Sequence, residues 1–402
     1  MPLAPHGQDP DRLAELGARF TSVSDLSGFV AVLRHSHHLL HEEAEIDWLS
    51  PRLVTALAFH GTRRYRSFSI PKRSGGEREI RAPQPKLKAV QRALNLCFHS
   101  VFQPHRTAYG FVPGRSIADN AALHVGRNWV LNLDLEGFFP STSFRRVKTV
   151  LGLDPFAFRG EREELGFLIA NLCCDGGALP QGAPTSPTLT NAVCQRLDRR
   201  LNRLARENRA RYSRYADDLT FSSNASELGE PFEEQVRSII VDEGYAVNEA
   251  KVRRQSAYVR QEVTGLTVND RLNVPRAFID DIRFSLTLWE KHGYDQASAH
   301  FLDRNAHRYP GRRPPALEYV LGGRLAFLAM VRGADDPLVL RLRERLNRLE
   351  GGTNPSPARR SSSGGPQETH ASSGSVKRIL DVWEAEGLKA ALDHVLHGKK
   401  QG

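Results

Sequence analysis

Residues Tyr215-Ala216-Asp217-Asp218 place two adjacent carboxylates between two runs of strand character, Ala210–Tyr215 and Leu219–Ser223. So short a connection between two strands reads as a tight turn with an acidic tip. Taken alone, neighbouring aspartates also serve as ordinary caps of turns and helices. What the pair means therefore depends on what the rest of the chain brings to it.

Upstream lies Val130-Leu131-Asn132-Leu133-Asp134-Leu135-Glu136-Gly137-Phe138-Phe139. Trp129, Leu131, Leu133 and Leu135 alternate with other residues, the period of a strand with one buried face. Asp134 falls on the opposite face near the strand's end, where its carboxylate can meet the Asp217–Asp218 turn. By itself Asp134 also reads as a residue that solvates a strand end. Three carboxylates delivered to one point describe a two-metal phosphoryl-transfer site, of the kind template-directed polymerases use. There the metals, roughly 3.5–4 Å apart, activate an attacking hydroxyl and stabilise the leaving oxygen. Two magnesium ions are expected, with manganese able to substitute, because magnesium is a hard ion held by a few carboxylates plus substrate phosphates.

Two further blocks stand in order with these. Ile70-Pro71-Lys72-Arg73-Ser74-Gly75-Gly76-Glu77-Arg78-Glu79-Ile80-Arg81-Ala82-Pro83, followed by Leu87-Lys88 and Gln91-Arg92, is a Gly-Gly turn between two basic strands. Leu179-Pro180-Gln181-Gly182-Ala183-Pro184-Thr185-Ser186-Pro187, continuing to Leu189-Thr190-Asn191, is a loop opening onto a helix. Ser186 is its expected N-cap and Pro187 its first helical residue. Val193, Leu197, Leu201 and Leu204 then repeat at helical spacing, while Arg196, Arg199, Arg200, Arg203 and Arg206 fill other faces.

From about Ile70 to Leu346 this series resembles the bacterial reverse transcriptases. The resemblance implies an α+β right-hand polymerase: fingers, a palm of antiparallel sheet packed on helices, and a helical thumb. It assigns metal binding and catalysis to Asp134, Asp217 and Asp218, with the backbone carbonyl of Leu135 as a further metal ligand. Lys72 and Arg78 would contact the incoming deoxynucleoside triphosphate, where fixed cations offset phosphate charge. Without the resemblance they are simply cations of a basic hairpin. Gln181 would support the nucleotide. Phe139 would be the steric gate against a ribose 2′-hydroxyl, favouring DNA over RNA synthesis; otherwise it is a core phenylalanine. Gly244-Tyr245-Ala246-Val247-Asn248 and Lys251 resemble the next palm motif, with Lys251 near the nucleotide. Asn248 and Lys251 read equally as surface residues at a strand end.

Asn120-Ala121-Ala122-Leu123-His124 and Val263-Thr264-Gly265 are similar to the Asn-Ala-x-x-His and Val-Thr-Gly elements of the retron enzymes. Ala108-Tyr109-Gly110-Phe111-Val112-Pro113-Gly114-Arg115-Ser116, which leads into the first, fits the same pattern. The resemblance implies that Asn120, His124, Val263, Thr264 and Gly265 help hold a structured non-coding RNA that is both template and primer. DNA synthesis would start from a guanosine 2′-hydroxyl and give a branched RNA–DNA product, in anti-phage defence with a separate effector protein. Read locally, His124 is a satisfied histidine on a helix begun by Ser116, and Val-Thr-Gly is a strand ending in a glycine turn. The alternatives are another bacterial reverse transcriptase (group II intron-like, diversity-generating or abortive-infection type) or a non-catalytic RNA-binding scaffold.

The remaining features bound these readings. Lysine and arginine outnumber acids 56 to 46, a net charge of +10 with pI near 9.6, which suits a phosphate-rich partner. No apolar run is long enough to span a membrane, and no signal-peptide pattern opens the chain. Cys97, Cys173, Cys174 and Cys194 lack zinc-type spacing and read as reduced, buried thiols of a bacterial cytoplasmic protein. His35, His37, His38 and His41 read as a solvated helix end, with metal binding the alternative. The expected organisation is a helical extension over 1–60, fingers and palm over 61–270, and a helical thumb over 271–350. A Gly/Ser/Pro-rich linker over 351–375 and an amphipathic helix over 376–402 follow. Arg341, Arg343, Arg345 and Arg348 would face a template–primer duplex in the thumb, or simply coat a helical bundle.

Overall fold

The computed structural model describes residues 9–41, 48–59, 64–71, 76–225, 227–305 and 314–351. Lys72, the linker beyond Gly351 and the expected C-terminal helix lie outside them. Two compact units divide the chain, Met1–Val259 and Arg260–Gly402.

The first unit opens with three helices, α1 (Pro10–Ser22), α2 (Leu26–His41) and α3 (Pro51–Phe59). An antiparallel hairpin follows, β1 (Tyr65–Pro71) and β2 (Glu77–Pro83), which pairs Ile70 with Arg78. Next come α4 (Pro85–Val101), α5 (Ile117–Ala122), β3 (Trp129–Asp134), α6 (Phe144–Leu151) and α7 (Glu163–Cys173). The unit continues through α8 (Ser186–Val193), α9 (Gln195–Glu207), β4 (Ala210–Tyr215), β5 (Asp218–Ser223), α10 (Glu230–Asp242) and β6 (Arg253–Ser256). Helices α1 to α3 share one hydrophobic core with α4, α6, α7 and α8, built around Phe20, Phe29, Phe98 and Phe156.

Strands β4, β5, β3 and β6 form, in that spatial order, an antiparallel sheet. Alternation gives it two unlike faces. Leu131, Leu133, Tyr212, Leu219 and Phe221 pack on Leu197, Leu201 and Leu204 of α9 and on Phe232, Val236 and Ile240 of α10. The other face carries Asn132, Asp134, Ser213, Asp218, Thr220 and Ser222. A sheet apolar on one side and polar on the other can cover its core and still offer charge to a ligand.

One helix expected after the Gln181 loop is two. Its N-cap is Thr185; Ser186 is the first helical residue, and its hydroxyl donates to the Pro180 carbonyl at 2.8 Å. The chain bends at Cys194 because the halves serve different cores: Leu189 and Ala192 of α8 join the N-terminal helices, whereas Leu197 and Leu201 of α9 join the sheet. As expected, the four cysteines are buried and free.

The second unit holds a two-stranded hairpin, β7 (Glu262–Val263) and β8 (Leu266–Thr267), then α11 (Arg276–Asn305), α12 (Leu317–Arg332) and α13 (Pro337–Gly351). Helix α11 breaks at Gly293, where φ is +82°. Ile279, Ile282, Leu286 and Trp289 form its buried stripe. The architecture is the right-hand polymerase fold class: a fingers hairpin, a palm sheet on helices, and thumb helices. Among the described residues no helix is long and apolar enough to cross a membrane.

Candidate active site

Strand pairing puts Asp134, the last residue of β3, directly opposite Asp218, the first of β5. The turn that joins β4 to β5 carries Asp217. Carboxylate oxygens of Asp134, Asp217 and Asp218 lie within 4.8 Å of one another. Asp134 is buried, Asp217 half-buried and Asp218 exposed, so the cluster opens to solvent on one side. Three hard oxygen donors so close together fit a divalent cation, since unscreened carboxylates at that spacing repel one another.

The turn is braced from several directions. Leu135 donates its N–H to the Asp217 carbonyl at 2.9 Å, tying β3 to the acidic tip. Ala216 takes a positive φ of +56°, which an alanine adopts only where its surroundings impose it. Those surroundings include Gly110: a Cβ at that position would meet the Ala216 amide nitrogen at 2.3 Å. Asn191 of α8 fixes Gly110 by donating to its carbonyl at 3.0 Å. Beneath the turn, Arg214 is fully buried; it donates to both oxygens of buried Asp198 and to the Asn191 side chain, and to the Ala216 carbonyl at 3.2 Å. Burial opposes the charge on Arg214, but Asp198 outweighs it and holds the guanidinium pKa well above its ordinary value. Tyr212 completes the group by donating to Asp198 at 2.9 Å.

Lys251 and Asn248 converge on Asp134. The lysine Nζ reaches Oδ2 at 2.7 Å, and the asparagine side chain donates to Oδ1 at 3.2 Å while its backbone N–H bonds the Asp134 carbonyl. Partial burial pulls the Lys251 pKa down, yet its hydrogen bond to Asp134 and the charges of Asp134, Asp217 and Asp218 carry it above its ordinary value. Asn248 and Lys251 thus lie beside the acidic cluster, with Lys251 still partly exposed.

The other sequence-predicted residues occupy three places. Phe139 is half-buried, with its ring centroid 5.4 Å from Phe138 and 5.9 Å from Phe111, the residue after Gly110. Gln181 lies on a loop bound to the fingers hairpin: its carbonyl accepts from the Arg81 N–H at 2.9 Å, and a Cβ on Gly182 would meet the Arg81 carbonyl at 3.0 Å. Arg78 is half-buried on that same hairpin. Asn120 and His124 lie against the polar face of the palm sheet. Asn120 sits in α5, whose N-terminus is a capping box between Ser116 and Asp119. His124 is fully buried, its ring nitrogens 2.7 and 2.8 Å from the hydroxyls of Ser222 and Ser213. Both ring nitrogens are thus engaged inside the protein, tying the segment after α5 to the sheet. Val263, Thr264 and Gly265 belong to the other unit, where Thr264 (φ +49°) and Gly265 (φ +83°) form the tight loop joining β7 and β8.

Sequence reasoning missed the bracing by Gly110, Asn191, Asp198 and Arg214. One signal was present: Arg214 shares the apolar face of β4 with Tyr212, a position where an unpaired charge is untenable.

Comparison with known proteins adds an independent finding. Residues 175–308 match the reverse transcriptase (RNA-dependent DNA polymerase) family. The chain is 43% identical over 227 residues to the retron Mx65 reverse transcriptase of Myxococcus xanthus, a stretch covering 53% of each protein. It is 32% identical over 248 residues to the retron Ec86 reverse transcriptase of Escherichia coli, covering 61% of this chain and 76% of that one. With the retron Ec73 reverse transcriptase of Escherichia coli it shares 33% identity over 250 residues, 56% of this chain and 76% of the relative. The chain spans about half the length of its Myxococcus xanthus relatives.

Proposed function

Because the chain belongs to the retron reverse transcriptases, we propose that it is an RNA-directed DNA polymerase that copies part of a structured RNA from a 2′-hydroxyl primer. The observation that carries this reading is the convergence of Asp134, Asp217 and Asp218 at one edge of a polar sheet face. Magnesium held there by Asp134 and Asp217, with Asp218 and the Leu135 carbonyl beside them, would supply charge neutralisation and lower the pKa of the primer hydroxyl. The chain's own part is positioning, which dominates phosphoryl transfer. The bracing of Ala216 and the Asp134–Asp218 pairing hold the carboxylates in register before substrate arrives. Lys251 balances the acidic cluster and is placed to turn toward a triphosphate. Arg78 and Lys72 would offset the same phosphate charge from the fingers, Gln181 would line the nucleotide, and Phe139 would exclude a ribose 2′-hydroxyl.

The partners that follow are a cognate non-coding RNA, its branched DNA product, deoxynucleoside triphosphates, and a separate effector in anti-phage defence. The test is to express the chain with its native flanking DNA and sequence the bound nucleic acid before and after debranching. Asp217→Ala serves as the control. Single-stranded DNA joined to one RNA guanosine, absent in the variant, is the expected result. Unbranched DNA would leave the polymerase and remove the 2′-priming. No DNA from either protein would overturn the catalytic reading in favour of an RNA-binding scaffold.

A further inference from the structure

Helix α9 carries five arginines, and they fall into two sets with different fates. Arg196 and Arg200 are consumed by the end of α10: both bond the Glu243 carboxylate at 2.8 Å, and Arg200 also reaches Asp242 at 2.8 Å. Arg199, Arg203 and Arg206 have no such compensation. Among the described residues Arg199 and Arg206 form no ion pair, and Arg203 approaches only Glu207, at 4.0 Å. At 3.6 residues per turn these three share one face, opposite the Leu197, Leu201 and Leu204 stripe that packs on the sheet. They line, with His105, Asn202 and Glu207, a cavity of about 400 Å³ between the outer side of α9 and the chain around residue 105.

The far wall of this cavity is a held structure. Gln195 donates to the Gln103 carbonyl at 2.9 Å, and Arg115 donates to the carbonyls of Arg106 and Ala108 at 3.0 and 2.5 Å. His105 is fixed by Thr107 at 2.8 Å, and burial followed by the nearby arginines lowers its pKa despite the pull of Asp198. Like charges at i, i+3 and i, i+4 spacing destabilise a helix. Three arginines kept together with one acid nearby make this face a cationic surface that a polyanion would neutralise.

We propose that this basin binds the phosphodiester backbone of structured RNA, as a second nucleic-acid contact separate from the catalytic one. The aspartates lie on the polar face of the palm sheet, whereas α9 covers the apolar face and turns its arginines further outward. A template–primer duplex engaged by the aspartates cannot supply these phosphates at the point of synthesis. They must come from another segment of the RNA, wrapped to the back of the palm. Guanidinium forks suit this contact because they grip phosphate in a bidentate manner without reading sequence.

This inference rests on the RNA-dependent reading above, and the two fail separately. The experiment compares the wild-type chain, the triple variant Arg199→Gln/Arg203→Gln/Arg206→Gln, and a charge-matched control with the exposed residues changed Arg12→Gln/Arg52→Gln/Arg159→Gln. Binding of a fluorescein-labelled hairpin RNA is titrated across salt, and oligo(dT) extension on poly(rA) is measured alongside. The basin variant should bind more weakly, with the slope of log affinity against log salt shallower by about 2–3, near one unit for each phosphate no longer engaged. The control should stay close to wild type, and extension on the homopolymer should match in all three. A basin variant indistinguishable from the control in affinity and slope would overturn the proposal. Failure of the wild type to extend the primer would sink the polymerase reading and leave the binding comparison intact.

Discussion

A methyl group at position 110 would lie inside the backbone of the acidic turn, 2.3 Å from the Ala216 amide nitrogen. Overpacking of this kind costs about 1–3 kcal/mol, and a displacement near 1 Å at a reacting centre costs on the order of a hundredfold in rate. Gly110→Ala should therefore lower kcat for nucleotide incorporation by about that factor while lowering the melting temperature only modestly. Equal kcat in the two proteins would show that the turn is set by other contacts. Phe139 acts at the same scale through shape rather than strain. Its ring packs against Phe111 and Phe138, so truncation opens space beside the acidic turn. Phe139→Ala should reduce discrimination between deoxy- and ribonucleotides by at least about 10- to 200-fold, the range that the steric fit of a single methylene already carries. Its effect on deoxynucleotide incorporation should be much smaller; unchanged discrimination would return Phe139 to the core.

Among elements, the buried Arg214–Asp198 pair joins β4 to α9 and, through Asn191, to α8. Arg214→Met leaves Asp198 charged and unpaired in the interior, a loss of about 3–5 kcal/mol. Adding Asp198→Leu removes the orphaned charge and should restore most of that stability. It should not restore activity, because the Ala216 carbonyl loses its donor in either case. Recovery of both together, read from denaturant midpoints and incorporation rates, would make the network structural only. The same elements explain what could be read from sequence. Strands β3, β4 and β5 were legible because alternation is local, and the aspartates because two of them adjoin and the third ends an alternating run. The split of α8 from α9 was not, since hydrophobic spacing continues through Cys194 and only the two separate cores impose the bend. Nor were the Gly110 approach to Ala216 and the Asn248 bond to Asp134, which join residues about a hundred positions apart and leave no periodic trace.

For the whole molecule, global stability should carry the signature of His124. Burial first, then the charges of Arg211 and Arg127, push its pKa down to about 3 from an ordinary value of 6.5. Above pH 6.5 the ring is neutral in the folded and unfolded chain alike, so it makes stability no steeper there. Between 6.5 and about 3 the unfolded chain takes up a proton that the folded chain refuses. Stability must fall as pH falls through that window, by up to about 1.4 kcal/mol per pH unit from this one group. The general self-repulsion of a chain already at +10 adds to the decline, but salt screens that effect, whereas the desolvation that is the main cause of the His124 shift is not screened. His124→Gln keeps an amide able to meet the Ser213 and Ser222 hydroxyls and carries no titratable proton. Denaturant midpoints measured from neutrality to about pH 4 in high salt should therefore diverge, the variant losing less stability with each step. Parallel curves would mean that the folded protein accepts a proton at His124, and that the packing of α5 on the palm sheet opens more readily than its burial implies.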